Sequence, residues 1–125
     1  MVSISPVYTE EACAPIGPYS QAIQAPPFLF ISGQIPINPN GVLFEGTITE
    51  KTVKCLQNIQ AILSAAGTSM EKIVKVTVFL TSMENFAAMN QGYDQAMPHK
   101  PARSCVAVKE LPKGVPVEIE CIAIL

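Results

Sequence analysis

The chain predicts an α+β fold in which two helices pack on one face of a sheet. Two stretches open on capping-box patterns and carry apolar residues at three- and four-residue steps. Between them, "KIVKVTVFL" alternates with the two-residue period of a half-buried strand. The element order is a strand-rich start, helix, strand, helix, strand, strand. At 125 residues there is length for one domain, spanning 1–125, and one core.

Taken in order, "APIGPYSQA" leads into a short strand from Tyr19 to Gln24. An apolar run, Phe28 to Ile31, precedes Ser32-Gly33, and a turn at Pro39-Asn40-Gly41 joins two short extended segments. Thr47-x-x-Glu50 starts the first helix, whose stripe is Val53, Leu56, Ile59, Leu63 and Ala66, and Gly67 stops it. In the next strand Val74, Val76, Val78 and Leu80 face the helices, while Ile73, Lys75, Thr77 and Phe79 face away. Thr81-x-x-Glu84 opens the second helix, which carries Phe86, Met89, Tyr93 and Met97 on one face and ends at Pro98. Strands from Ala102 to Val108 and from Val117 to Ile124, joined by "KELPKGVP", complete the chain.

Composition bears on what covers the other side of the sheet. Lys75, Thr77, Arg103, Cys105, Glu118 and Glu120 are assigned to that face among apolar neighbours. Hydrophobic residues make up 49% of the chain and charged ones 14%, against roughly 25% charged in ordinary soluble domains. Mean hydropathy is +0.32. No apolar run approaches the roughly 20 residues of a membrane span, so the excess predicts burial against sister subunits.

Net charge is −2 and the sequence pI about 5.3, with seven lysines scattered along the chain. A dedicated nucleic-acid groove needs clustered Lys and Arg and is not expected. The first residues lack the pattern of a secretory signal and the arginines of a mitochondrial presequence. The expectation is a cytoplasmic protein, with a processed mitochondrial one as the other possibility. Cys13, Cys55, Cys105 and Cys121 form no C-x-x-C pair, and His99 is the only histidine, so no zinc set is expected. The thiols read as reduced and mostly buried. No glycine-rich phosphate loop is present, and no cofactor is expected.

Arg103 is the only arginine, and it enters a run that otherwise reads as a buried strand. If the last two strands are antiparallel neighbours, Glu118 can share its face. Two readings fit that pair: a buried ion pair, or an arginine fork gripping a ligand carboxylate beside an acid–base glutamate. One arginine among seven lysines favours the ligand, because geometry rather than charge is then wanted. Spacing alone does not separate Glu118 from Glu120. Cys105 reads as a pocket-shaping residue rather than a nucleophile, and His99 as a surface or interface residue rather than a base. Taken singly, Tyr19, Ser32 and Gly33 are ordinary packing and turn residues.

Together, "IGPYSQA", "FISGQIP", "KVTVFL", "NFAAMNQGY", "KPARSCVAV" and "LPKGVPVEIECIA" resemble the Rid/YjgF family, and within it the RidA subgroup of enamine/imine deaminases. The likeness runs from about Ala14 to the end with motif order intact, and "HKPARSCVAV" resembles the fungal members. It implies a chorismate-mutase-like (YjgF-like) α+β fold with a mixed sheet. It further implies a homotrimer whose sheets form a central barrel with three clefts between subunits. By the same resemblance Arg103 binds the substrate carboxylate and Glu118 positions or activates water. Tyr19, Ser32, Gly33 and Asn90 surround the substrate, and Cys105 contributes backbone and pocket shape. "MPHKP" departs from the aromatic-Pro usual before the motif, which bears on substrate size. The implied reaction is cofactor-independent hydrolysis of 2-iminopropanoate and 2-iminobutanoate, derived from 2-aminoacrylate and 2-aminocrotonate, to 2-keto acids and ammonia. Such a reaction protects pyridoxal-phosphate enzymes and branched-chain amino-acid metabolism, isoleucine biosynthesis included. The alternatives are a trimeric metabolite-binding or chaperone-like module, and a translation inhibitor or ribonuclease.

Overall fold

The computed structural model describes residues 3–125. Six strands, β1 (Ser5–Val7), β2 (Ala22–Ala25), β3 (Phe28–Gln34), β4 (Ile73–Leu80), β5 (Ala102–Ala107) and β6 (Val117–Ile124), form one mixed sheet. Its order is β1-β2-β3-β6-β4-β5, antiparallel throughout except for the parallel β4–β5 pair. Two helices, α1 (Ile48–Ala65) and α2 (Phe86–Asp94), cover one face, as the α+β reading predicts. Leu29, Ile59, Ile62, Leu63, Val76, Val78, Leu80 and Ile119 are fully buried between the layers. Each such side chain contributes about 1.5–3 kcal/mol of burial.

Both ends of α1 follow from its sequence. The Glu50 amide donates to Thr47 Oγ1 at 3.1 Å and the Thr47 amide to Glu50 Oε1 at 2.9 Å, closing the capping box. Gly67 takes φ +83°, and the Thr68 and Gly67 amides return to the Leu63 and Ser64 carbonyls, each at 3.0 Å. This is the Schellman ending that a glycine at this position permits. The buried stripe is Thr52, Cys55, Leu56, Asn58, Ile59, Ile62 and Leu63. Val53 lies outside it, 38% exposed, because the stripe is centred one residue away from the predicted line.

The start of α2 differs from expectation. Thr81 caps nothing, since its amide donates to the Pro116 carbonyl at 3.2 Å. Instead Ser82 Oγ accepts from the Glu84 amide at 3.1 Å and starts a single 3-10 turn, Met83–Asn85, that runs into the helix. The helices then approach closely at Gly92, where a Cβ would lie 2.5 Å from the Thr49 carbonyl oxygen.

The strand expected from Tyr19 to Gln24 runs instead over Ala22–Ala25, and two further strand expectations need correction. In β4, Ile73 is buried and Val74 is 42% exposed, the reverse of the simple alternation. A register shift against β6 between Ile73 and Lys75 flips the phase, which then runs as predicted from Lys75 on. The second correction moves Arg103. The strands holding Arg103 and Glu118 are not neighbours, because β4 lies between them. β6 has Val117, Ile119, Cys121 and Ala123 buried and takes the sheet centre between β3 and β4. β5 has no buried residue and takes the edge. Val76 pairs with Arg103 and Val78 with Cys105, which puts Arg103 and Cys105 on the helix side. Phe79 pairs with Glu118 and Thr77 with Glu120, which puts both glutamates on the outer side. Arg103 and Cys105 therefore do not share the face of Lys75, Thr77, Glu118 and Glu120.

Candidate active site

The functional candidates fall into two groups on opposite faces. The first lies between β5 and α2. Phe86, Asn90 and Tyr93 recur at four- and three-residue steps, so one face of α2 presents all three. Arg103, half-buried, reaches that face from the edge strand. Its Nη1 donates to Asn90 Oδ1 at 2.8 Å, and its Cζ sits 4.7 Å from the Tyr93 ring centroid and 5.7 Å from that of Phe86. A cavity of about 540 Å³ opens beside it, lined by Asn90, Tyr93, Met97, Lys100 and Pro101 among others. The ion-pair reading of Arg103 with Glu118 fails, because the two side chains leave the sheet in opposite directions. Aromatic faces and two neutral acceptors, Asn90 Oδ1 and more weakly Met89 Sδ at 4.0 Å, hold the guanidinium, and a guanidinium has five N–H donors.

Cys105 lies next but one to Arg103 on the same face and packs against the core. Burial pushes its thiol up, and the charge of Arg103 only partly offsets this. His99 is no base for it: Nε2 donates to the Ile73 carbonyl at 3.1 Å, at the far end of β4. Thiolate catalysis has no support in this arrangement.

The second group gathers Tyr19, Ser32, Gly33, Glu118 and Glu120 around a cavity of about 350 Å³ on the outer face. Ser32 Oγ donates to the Ser20 carbonyl at 2.6 Å, tying the Gly-Pro-Tyr loop to β3. Tyr19 is 45% exposed, and its hydroxyl accepts from the Ile16 amide at 3.2 Å. Gly33 faces Glu118 so closely that a Cβ would come within 2.7 Å of the carboxyl carbon. It sits inside the register shift between Ile31 and Gln34 against β6. Glycine here is a requirement of the glutamate's position. Burial raises the proton affinity of Glu118 and the like charge of Glu120 raises it further, with no offset from Arg103.

Sequence reasoning missed the props of this second group. Gln21, 2% exposed, accepts from the Thr9 amide at 2.7 Å and donates to the Thr9 and Cys13 carbonyls, each at 3.0 Å. Asn58, equally buried, donates to the Ile35 and Ile37 carbonyls at 3.1 and 2.9 Å and holds the chain leaving β3. Nothing local marks a buried amide in a sequence. Tyr93 was legible as a core residue of α2 but not as the ring beneath Arg103. No helix among the described residues is long and apolar enough to cross a membrane.

Comparison with known proteins follows the same outline. The family model described as endoribonuclease L-PSP matches residues 9–125. A mitochondrial protein of Schizosaccharomyces pombe, mmf1, is 53% identical over 112 residues, covering 86% of this chain and 68% of its own. A RutC family protein of Pyrococcus horikoshii is also 53% identical, over 94% of each chain. Among solved structures, yeast Mmf1 superposes with a TM-score of 0.95 at 44% identity over 98% of both chains. Escherichia coli TdcF with bound serine gives 0.92 at 38% identity, over 97% of this chain and 98% of its own.

Proposed function

The chain belongs to the Rid/YjgF family, whose model bears the endoribonuclease L-PSP description, and from that membership we propose that it is an enamine/imine deaminase of the RidA kind. It hydrolyses 2-iminopropanoate and 2-iminobutanoate to 2-keto acids and ammonia, in the cytoplasm or the mitochondrion. The carrying observation is the posture of Arg103. The only guanidinium in the chain sits at an open cavity with two neutral acceptors, Asn90 and the Met89 sulfur, and two aromatic rings for company. Such a group wants a planar anion, and an α-carboxylate answers it with two parallel hydrogen bonds. The serine held by TdcF carries that same carboxylate on three carbons, which supports the ligand class.

The separation of the two groups gives the site its form. Arg103, Asn90 and Cys105 belong to one face, and Tyr19, Ser32, Gly33 and Glu118 to the other. A small substrate meets both only if they come from different subunits, so the proposed homotrimer completes each site at a subunit boundary. The unpaired edge of β5 and the exposed Phe28, Phe30 and Val106 support association along these surfaces. In the cleft Arg103 fixes the carboxylate and Glu118 holds a water at the imine carbon. Water adds its oxygen to that carbon while the nitrogen gains a proton. The carbinolamine then collapses, the C–N bond breaks toward nitrogen, and ammonia leaves a 2-keto acid. Glu118, with its raised proton affinity, can take a proton from water and return one to nitrogen. Positioning supplies the rest.

A ribonuclease or translation-inhibitor reading has the family description in its favour. Against it stand the net charge of −2 and the dispersal of the lysines. A metabolite-binding module would use the same Arg103 pocket without turnover. The deciding experiment supplies 2-aminoacrylate from a serine dehydratase, traps free imine with semicarbazide, and follows pyruvate. Wild type outcompetes the trap and Arg103→Ala, at equal trimer content, does not. If wild type binds keto acids without outcompeting the trap, the protein is a binding module. Cleavage of RNA that survives Arg103→Ala would assign that activity to another site.

A further inference from the structure

Tyr93 is the one aromatic residue beneath Arg103 that is buried, 8% exposed, and its hydroxyl has no hydrogen-bond partner among the described residues. What Tyr93 presents to Arg103 is its ring. The ring centroid lies 4.7 Å from Cζ of Arg103, inside the range of a cation–π contact, and nearer than Phe86 at 5.7 Å. Asn90, three residues earlier on the same helix face, takes a hydrogen bond from Nη1 at 2.8 Å. A ring beneath the guanidinium fixes its plane, and an acceptor at one corner fixes its rotation within that plane.

We propose that Tyr93 is the positioning residue for Arg103: its ring, with Asn90 at the corner, holds the guanidinium in one orientation at the cavity before any ligand arrives. A preset fork loses less freedom on binding than a mobile one, so the gain appears as ligand affinity. The orientation stands on geometry alone, while its consequence for substrate rests on the carboxylate-clamp reading above.

Because Arg103 is the only arginine, arginine-labelled protein gives one set of guanidinium NMR signals that needs no assignment. In the wild type these signals are displaced by the ring current and the Nη pair is resolved by slowed rotation. Tyr93→Phe keeps both signatures, and Tyr93→Leu moves them part of the way toward free arginine, with Asn90 and Phe86 still in place. With pyruvate as the probe, Tyr93→Leu weakens binding roughly tenfold while Tyr93→Phe stays within about twofold of wild type. In an Arg103→Ala background Tyr93→Leu has no further effect on pyruvate binding, as two residues acting through one group require. Free-arginine signals in folded wild type, signals unmoved by Tyr93→Leu, or fully additive losses would each overturn the proposal. If wild type shows the displaced signals and binds pyruvate but does not hydrolyse the imine, the deaminase reading falls and Tyr93 keeps its role.

Discussion

Gly33 and Glu120 act on the same carboxylate from different sides, one through space and one through charge. A methyl group at Gly33 would overlap the Glu118 carboxyl, which has to swing away from its cavity. Gly33→Ala is expected to lower kcat by roughly 10²-fold, the scale of a lost general acid–base contribution. Its keto-acid affinity, which the proposed site assigns to the Arg103 side, is expected to change little, and steady-state kinetics beside a binding titration measures both. Glu120 raises the proton affinity of Glu118, so Glu120→Gln is expected to move the acid limb of the rate profile to lower pH. The sign follows from the ionised form being the base: activity falls as pH drops through the carboxyl's own value, and removing a like charge lowers that value. The same shift links to stability. A carboxyl with raised proton affinity costs nothing while protonated, and the penalty appears as pH rises through its folded value.

At the scale of elements, the contact of α1 with α2 sets where Arg103 finds its partners. Thr49 Oγ1 donates to the Ala88 carbonyl at 2.8 Å, and Gly92 lets the helices close at the next turn. Gly92→Ala would force backbone against side chain and is expected to destabilise the fold by about 1–3 kcal/mol, measured as a lower midpoint in chemical denaturation. Because Asn90 and Tyr93 flank Gly92 on α2, the displaced helix should also weaken keto-acid binding. A destabilised variant with unaltered affinity would show that α2 tilts without carrying the site.

For the whole molecule, the two-faced site makes a prediction that no single subunit can satisfy. Arg103→Ala and Glu118→Gln each remove one half, and under the proposed trimeric arrangement each variant alone is expected to be inactive. Mixed and exchanged in equal amounts, random trimers restore about a quarter of wild-type clefts, since each needs one intact half from each neighbour. Unfolding and refolding the mixture, then assaying imine hydrolysis, measures the recovery. A mixture as inactive as its components would mean that Arg103 and Glu118 do not serve one cleft.

Much of this molecule is set by short-range chemistry, and that much was legible in the residues alone. The α1 capping box, its Gly67 ending, the Asn40-Gly41 turn, the bounds of β6 and the α+β layering all depend on neighbours a few positions apart. Gly41 takes φ +87° in its turn, as that residue pair allows. The start of α2 was misplaced because the Pro116 carbonyl, distant in sequence, engages Thr81. The candidate residues could be picked out one by one, and the lone arginine stood out among seven lysines. Their grouping was not legible. Strand order is decided by which strand has most apolar surface to bury, so β6 took the centre and β5 the edge, with β4 between them. That competition among strands turned Arg103 toward α2 and Glu118 toward the opposite face, a division that no residue spacing encodes.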